Sequence, residues 1–127
     1  MVGAGPAGLA YATVAAERGH AVTLYDAADE VGGQFNLAKQ VPGKEEFHET
    51  LRYYRAMLEK YDVMVKLGQR VEADQLSEAG FDHVVVATGI SPRVPQIPGI
   101  EHEKVVGYID AIKGLSLIHI SEPTRPY

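Results

Sequence analysis

The chain of 127 residues contains no cysteine. This absence excludes a disulfide framework, a thiolate metal site and a redox-active cysteine pair within these residues, and it fits a reducing compartment. Long hydrophobic runs are also missing: none approaches the roughly 20 residues of a membrane span, and no basic segment followed by an apolar one opens the chain. We therefore expect a soluble cytoplasmic protein with no membrane partner.

Positive charge is scarce as well. Lys and Arg total 12 against 17 Asp and Glu, which gives a net charge of −5, and the basic residues are scattered along the chain. Nucleic acids and anionic membranes are bound by basic patches or stripes, so we expect neither as a partner. The five histidines show no metal-ligand spacing, and we assign no metal site. The hydrophobic fraction of 46% is enough for the core of one domain.

A glycine-rich turn opens the chain. Gly3, Gly5 and Gly8 follow the pattern G-x-G-x-x-G. In such a turn the first glycine allows a tight bend, the second lets a pyrophosphate approach the backbone, and the third lets the helix pack against its strand. The free N–H groups of the helix N-terminus, that of Ala7 among them, then face the phosphates. An ordinary strand-to-helix turn has the same pattern, so the context must decide.

The residues after the turn favour the nucleotide interpretation. Pro6 suits a first helical turn, residues 7–18 favour a helix, and Gly19 supplies its end. Residues 21–26 predict a second strand that ends in Asp26, eighteen residues after the last glycine of the turn. A ribose-binding carboxylate is expected at an offset of roughly 20 residues. We predict a pocket for the ADP half of a dinucleotide, with Asp26 on the ribose.

The remaining residues alternate between irregular and periodic segments. Residues 27–44 lack periodicity and predict a long loop, whereas residues 45–61 have apolar side chains at helical spacing and predict an amphipathic helix over the sheet. Short strands are predicted at residues 63–67, 70–73, 81–89 and 105–108. We expect the β-branched strand at 81–89 to be buried on both faces of a parallel sheet. Three prolines exclude a helix at residues 91–99, and Asp110 opens a further helix.

Both ends differ from a whole domain of this kind. Only Met1 and Val2 precede the glycine-rich turn, where a central strand of about five or six residues is expected. Residues 115–127 change abruptly in character and resemble the in-frame translation of a sequencing-library adapter. A short strand at residues 115–120 before a Pro-rich end is the alternative. We expect residues 1–114 to be a partial domain, truncated at both ends, residues 115–127 to be a non-native tail, and the chain alone to fold poorly.

The residues after the second strand indicate which nucleotide is bound. Asp26 is followed closely by Asp29 and Glu30, whose carboxylates would repel the extra phosphate that NADP sites meet with an arginine. Residues 32–34 (Gly-Gly-Gln) and residues 87–89 (Ala-Thr-Gly) resemble motifs of FAD-containing flavoproteins with two dinucleotide-binding domains. In those proteins the paired glycines lie near FAD and the Ala-Thr-Gly turn closes the pocket. The resemblance implies a Rossmann-like α/β FAD/NAD(P)-binding domain with a parallel sheet.

Three further segments narrow the resemblance. Residues 32–39 (GGQFNLAK), 42–47 (PGKEEF) and 50–55 (TLRYYR) resemble the FAD-binding portion of the NADPH-dependent 2,4-dienoyl-CoA reductase family, in which an old-yellow-enzyme-like barrel precedes an FAD/NADPH module. The resemblance covers nearly all of residues 1–114. It implies a parent oxidoreductase that passes electrons from NADPH through FAD and an iron–sulfur cluster to FMN. The barrel and the NADPH-binding regions would be the partners of this chain within one polypeptide, so we assign no catalytic residue here.

The site residues follow from the turn and from the resemblance. The turn faces the pyrophosphate and Asp26 faces the ribose. The resemblance implies that the paired glycines approach FAD, that Gln34 offers amide hydrogen bonds, that Val71 contacts adenine and that the Ala-Thr-Gly turn closes the pocket. The candidate FAD-binding residues are Gly3, Gly5, Ala7, Gly8, Asp26, Gly33, Gln34, Val71, Ala87, Thr88 and Gly89.

Alternatives remain for individual residues and for the function. Gly33 and Gln34 also fit a plain loop turn, and Val71 also fits the core of a strand. Disulfide reductases carry a cysteine pair shortly after the paired glycines, where this chain has residues 34–36 (Gln-Phe-Asn), so that subclass is disfavoured. A module that holds ADP or NAD without redox turnover would use the same turn and the same Asp26, because both contact only the ADP half.

Overall fold

The computed structural model describes residues 1–121, with side chains described as far as residue 114. Within this part, two short parallel strands are interspersed among the helices. In chain order the elements are α1 (Pro6–Glu17), β1 (Thr23–Tyr25), α2 (Phe35–Ala38), α3 (Glu46–Lys60), β2 (Met64–Lys66), α4 (Ala73–Glu78) and α5 (Tyr108–Ser121). None of the helices in residues 1–121 is both long enough and apolar enough to cross a bilayer.

The sheet is parallel and is completed by single-residue bridges. Strands β1 and β2 pair in parallel. Val2 forms parallel bridges to Tyr25 on one side and to Val86 on the other, and its N–H donates to the carbonyl oxygen of Val85 at 2.8 Å. The order across the sheet is therefore β2, β1, Val2 and the segment around Val86. This agrees with the prediction that the residues before the glycine-rich turn hold the central position.

Helix α1 begins and ends where local signals predict. Pro6 has no N–H, which costs nothing in the first turn because that donor has no helical partner. At the other end Arg18 caps the helix, and Gly19 leaves it with a φ of +95°. Leu9 and Ala12 are fully buried in the same core cluster as Leu24 of β1.

Helix α3 lies one residue inside the predicted range at each end. Its two buried side chains, Leu51 and Leu58, are seven residues apart and share one face because the helical period is 3.6. This face packs against α1, and a stacked pair of rings, Phe35 and Phe47, with centroids 4.7 Å apart, joins α2 to α3. The buried core consists of Ala4, Leu9, Ala12, Leu24, Val31, Leu51 and Leu58.

Two predictions about irregular segments are wrong. Residues 27–44 are not all loop, because they contain the short helix α2. Residues 70–73 do not form a strand, because α4 begins at Ala73. A capping box explains that start: the Glu72 N–H donates to Oε1 of Gln75 at 2.9 Å, and the Glu72 side chain accepts from the backbone at the third helical position.

The expected burial of the strand at 81–89 is also wrong. The side chains of Val84 and Val86 are 44% and 67% exposed, and Val86 pairs with a single residue, Val2. A β-branched sequence favours extended backbone, but burial depends on the elements that pack against each face. Among the residues described, those faces stay largely uncovered.

The region near the C-terminus differs from its prediction as well. Val105 and Val106 lie in irregular backbone and are exposed, and α5 starts at Tyr108, two residues before Asp110. The alternative of a strand at residues 115–120 is wrong, because those residues belong to α5. Residues 122–127 lie outside the described part, and the boundary after residue 114 stays a prediction.

Candidate dinucleotide-binding site

A cavity of about 560 Å³ lies at one edge of the sheet. Most of its walls come from the residues that follow the paired strand segments, because the carboxyl ends of parallel strands meet at a common edge, where open α/β sheets hold their ligands. The volume falls within the roughly 300–1,000 Å³ that small-molecule and cofactor sites occupy. The predicted site residues that line this cavity are Gly3, Gly5, Ala7, Asp26, Gly33, Gln34, Val71, Ala87, Thr88 and Gly89.

Gly8 is the predicted site residue that does not line the cavity. It is buried, and a Cβ atom placed on it would overlap the carbonyl oxygen of Gly3. Gly8 therefore lies where helix α1 packs against the backbone of Gly3. This is the packing role that the third glycine of the pattern has.

The glycine-rich turn is in direct contact with the two other motifs. Gly3 has a φ of +104°, and a Cβ on it would overlap the carbonyl oxygen of Ala87. Gly33 has a φ of +53°, and its Cβ would lie 2.9 Å from the Cα of Gly5. Both glycines thus adopt backbone conformations that disfavour other residues, at positions with no space for a side chain. Three segments distant in sequence meet as bare backbone, which a ligand can approach closely.

Asp26 stands at the end of β1 and is half-buried. Its Oδ2 accepts the N–H of Ala4 at 2.6 Å, and its Oδ1 accepts the N–H of Ala28 at 2.8 Å. An ionised carboxylate offers about four lone-pair sites, so acceptor capacity remains for a ligand in the cavity. The position agrees with the predicted ribose contact, which itself stays a prediction.

The residues after β2 form another wall of the cavity. Val71 lies outside both strands and outside the buried core, so the alternative of a strand-core residue is wrong for it. Its neighbours Gln69, Arg70 and Glu72 also line the cavity, and sequence reasoning missed all three. The signal was available, because they directly follow β2 and its end shares the cavity edge.

Charge in the cavity is nearly balanced. Arg70 and Glu72 face each other at 3.5 Å between Nε and Oε1, but both side chains are largely exposed, and such pairs contribute little to stability. With Asp26, the lining carries two carboxylates and one guanidinium. Leu37 and Ile90 add apolar surface, and both were missed in sequence analysis. Within residues 1–114, no cluster of three His, Asp or Glu side chains is arranged to hold a metal ion.

Comparison with known families decides the classification. A family model described as "Pyridine nucleotide-disulphide oxidoreductase" matches residues 1–121. The chain belongs to this family. Its fold is thus a Rossmann-like domain of the FAD/NAD(P)-binding type, as the glycine-rich turn, Asp26 and the Ala-Thr-Gly turn predict.

Individual relatives are dehydrogenases, oxidases and reductases by name. The chain is 42% identical to the N,N-dimethylglycine/sarcosine dehydrogenase of Chromohalobacter salexigens over 77% of its own length and 14% of that protein. It is 38% identical to the NADH oxidase of Thermoanaerobacter brockii over 81% of its length and 16% of that protein. Among solved structures, it resembles a 2-naphthoyl-CoA reductase complex with a TM-score of 0.83 and 38% identity, over 90% of this chain and 17% of that one. The chain therefore spans less than a fifth of these relatives.

Proposed function

We propose that the chain is the FAD-binding part of a flavin-dependent NAD(P)H oxidoreductase. The observation that carries this proposal is the convergence of four separate signals on one cavity. Each of them contributes to the lining: Gly3 and Gly5 of the glycine-rich turn, Asp26, Gly33 with Gln34, and the Ala-Thr-Gly turn. A nucleotide site alone needs only the first two, whereas the last two are the motifs that resemble FAD proteins.

The residues present fit the ADP half of FAD. Gly5 and Gly33 approach each other with no side chain between backbone and cavity, which leaves room for a pyrophosphate. The N–H of Ala7, in the first turn of α1, has no partner within the helix and can donate to that anion. Asp26 would accept from the ribose hydroxyls, and Val71 lies where the adenine would contact the segment after β2. Bound FAD would accept electrons from a nicotinamide nucleotide and pass them on.

Two substrate classes compete within this proposal. The segments that resemble 2,4-dienoyl-CoA reductase favour an NADPH-dependent enoyl reductase, in which an iron–sulfur cluster and FMN lie in other regions of the intact polypeptide. The likeness to a 2-naphthoyl-CoA reductase supports a thioester substrate. The 42% identity to a dimethylglycine/sarcosine dehydrogenase supports the second class, amine oxidation. We favour the enoyl reductase because three separate segments carry that resemblance.

Anaerobic spectroscopy on the intact polypeptide that contains this chain tests the proposal. We expect NADPH to bleach the flavin absorbance near its visible maximum, and a 2,4-dienoyl-CoA to restore it. Bleaching by dimethylglycine with no response to NADPH would instead assign the amine dehydrogenase class. If neither reductant changes the spectrum while a nucleotide stays bound, the chain is a non-redox ADP- or NAD-binding module and the redox proposal fails.

A further inference from the structure

Asp26 is already engaged with the protein backbone before any ligand is considered. Each of its carboxylate oxygens accepts a backbone N–H, one from the glycine-rich turn and one from the segment that follows β1. From this geometry we infer that Asp26 is a positioning residue: it holds the phosphate-binding turn in place. The inference deepens the proposed function and rests on it.

The turn depends on Asp26 at one particular residue. The backbone as far as Gly3 is fixed by the sheet, because the N–H of Gly3 donates to the carbonyl oxygen of Tyr25 at 2.8 Å. The next residue, Ala4, is fully buried, and its N–H donates to Oδ2 of Asp26 at 2.6 Å. A buried N–H left without an acceptor is unfavourable, so removal of this carboxylate would favour movement of the turn.

Further hydrogen bonds extend from the two residues that Asp26 contacts, Ala4 and Ala28. The carbonyl oxygen of Ala4 accepts the N–H of Gly32 at 2.8 Å, so Ala4 also positions the paired glycines. Ala28, whose N–H donates to Oδ1 of Asp26, accepts the N–H of Gly68 at 2.8 Å through its own carbonyl oxygen. The carboxylate of Asp26 therefore connects the glycine-rich turn, where the pyrophosphate would bind, to the segment that follows β2.

This connection would make Asp26 contribute to the binding of two neighbouring groups of the ligand, the adenosine ribose and the pyrophosphate. A carboxylate that only accepts ribose hydroxyls contributes nothing to a ligand that lacks them. A carboxylate that also fixes the turn contributes to pyrophosphate binding whether or not hydroxyls are present. The distinction can be measured with FAD and with an FAD analogue that lacks both hydroxyls of the adenosine ribose.

The experiment uses the flavin-free form of the intact polypeptide, with dissociation constants taken from flavin fluorescence titrations. We expect Asp26→Ala to weaken the dideoxy analogue at least tenfold, and FAD by more. Asp26→Asn should lose less, because its one remaining side-chain oxygen can accept one of the two N–H groups. Asp29→Asn removes a nearby charge outside the cavity, and it should change neither constant. Leu58→Ala, in the core but not in the cavity, controls for general loss of stability.

Separate outcomes test the inference and the proposed function. If Asp26→Ala and Asp26→Asn bind the dideoxy analogue as the unaltered protein does, the carboxylate only contacts hydroxyls and the inference is overturned. The same holds if Leu58→Ala weakens the analogue as much as the Asp26 variants do. Should Asp26→Ala fail to fold, Asp26→Asn alone decides between these results. Failure of the unaltered protein to bind FAD would contradict the proposed function instead.

Discussion

A Cβ atom on Gly3 would overlap the carbonyl oxygen of Ala87. These two residues belong to motifs more than eighty positions apart, and they touch because the turn after the central residue Val2 meets the turn after the neighbouring segment. The contact joins the start of the phosphate-binding turn to the Ala-Thr-Gly turn. No space for a side chain is left between the two backbones.

The variant Gly3→Ala tests this contact. We expect it to lose FAD affinity and to unfold at a lower urea concentration, because the methyl group meets backbone and the φ of +104° is unfavourable for alanine. Gly19→Ala is the matched control, since Gly19 has a φ of +95° with no atom within 4 Å of the added Cβ. The control should show only the conformational cost, about 1–2 kcal/mol. Equal effects of the two substitutions would show that the contact between Gly3 and Ala87 adds nothing to stability or to FAD binding.

The paired glycines allow a second comparison of the same kind. Alanine at Gly33 would place its Cβ 2.9 Å from the Cα of Gly5, beside the cavity, whereas alanine at Gly43 would meet nothing within 4 Å. We expect Gly33→Ala to weaken FAD binding by about tenfold or more, the equivalent of about 1.4 kcal/mol. Gly43→Ala should leave FAD affinity unchanged in the same fluorescence titration. A Gly33→Ala protein with unaltered affinity would show that this glycine serves only as a loop turn.

The core makes a separate prediction about stability. Leu51 is 1% exposed and belongs to the buried core in which α3 packs against α1. We expect Leu51→Ala to destabilise the domain by about 2–5 kcal/mol, because a buried cavity adds to the lost transfer free energy. Tyr11→Ala, at a half-exposed helical position, should change stability by only about 0.5 kcal/mol. Urea unfolding at saturating FAD measures both, and similar losses would mean that α3 does not pack as described.

Local signals explain which elements were predictable. Helix α1 was located because Pro6 and Gly19 mark its ends, and α3 because its apolar residues recur with the helical period. The start of α4 was missed, because residues 70–73 were predicted to form a short strand. Glu72 and Gln75 form a capping box there, which is a signal for a helix start. Signals of this kind operate within a few residues, so they predict elements better than packing.

The burial of side chains and the lining of the cavity were harder to predict, because both depend on residues that are distant in the sequence. The β-branched run around Val86 predicted a buried strand, but Val86 forms only a single bridge to Val2 and is exposed, because pairing and burial depend on neighbouring elements. The cavity was predictable where a motif has a known place at a strand end, as for Asp26. Leu37 lines the same cavity without any motif, and only the folded chain brings it there.

The exposed apolar side chains predict how the chain behaves by itself. Ile90 and Val94 are 79% and 74% exposed, and Ile97 is 56% exposed in the same proline-rich segment. Exposed apolar surface of this kind favours association. We expect the 127-residue chain alone to self-associate and to lack a sharp thermal transition. Replacing Val94 and Ile97 by lysine should reduce association in sedimentation velocity, whereas a monomeric unaltered chain that unfolds cooperatively would contradict the prediction.

The nucleotide bound to the intact polypeptide decides whether this chain is an FAD-binding domain. The intact polypeptide is purified and denatured, and the released small molecules are separated by chromatography and identified by mass. We predict release of FAD, close to one molecule per polypeptide, and little FAD from Gly33→Ala. Flavin colour alone does not decide, because the proposed parent also binds FMN. Release of ADP or NAD with no FAD would contradict the account.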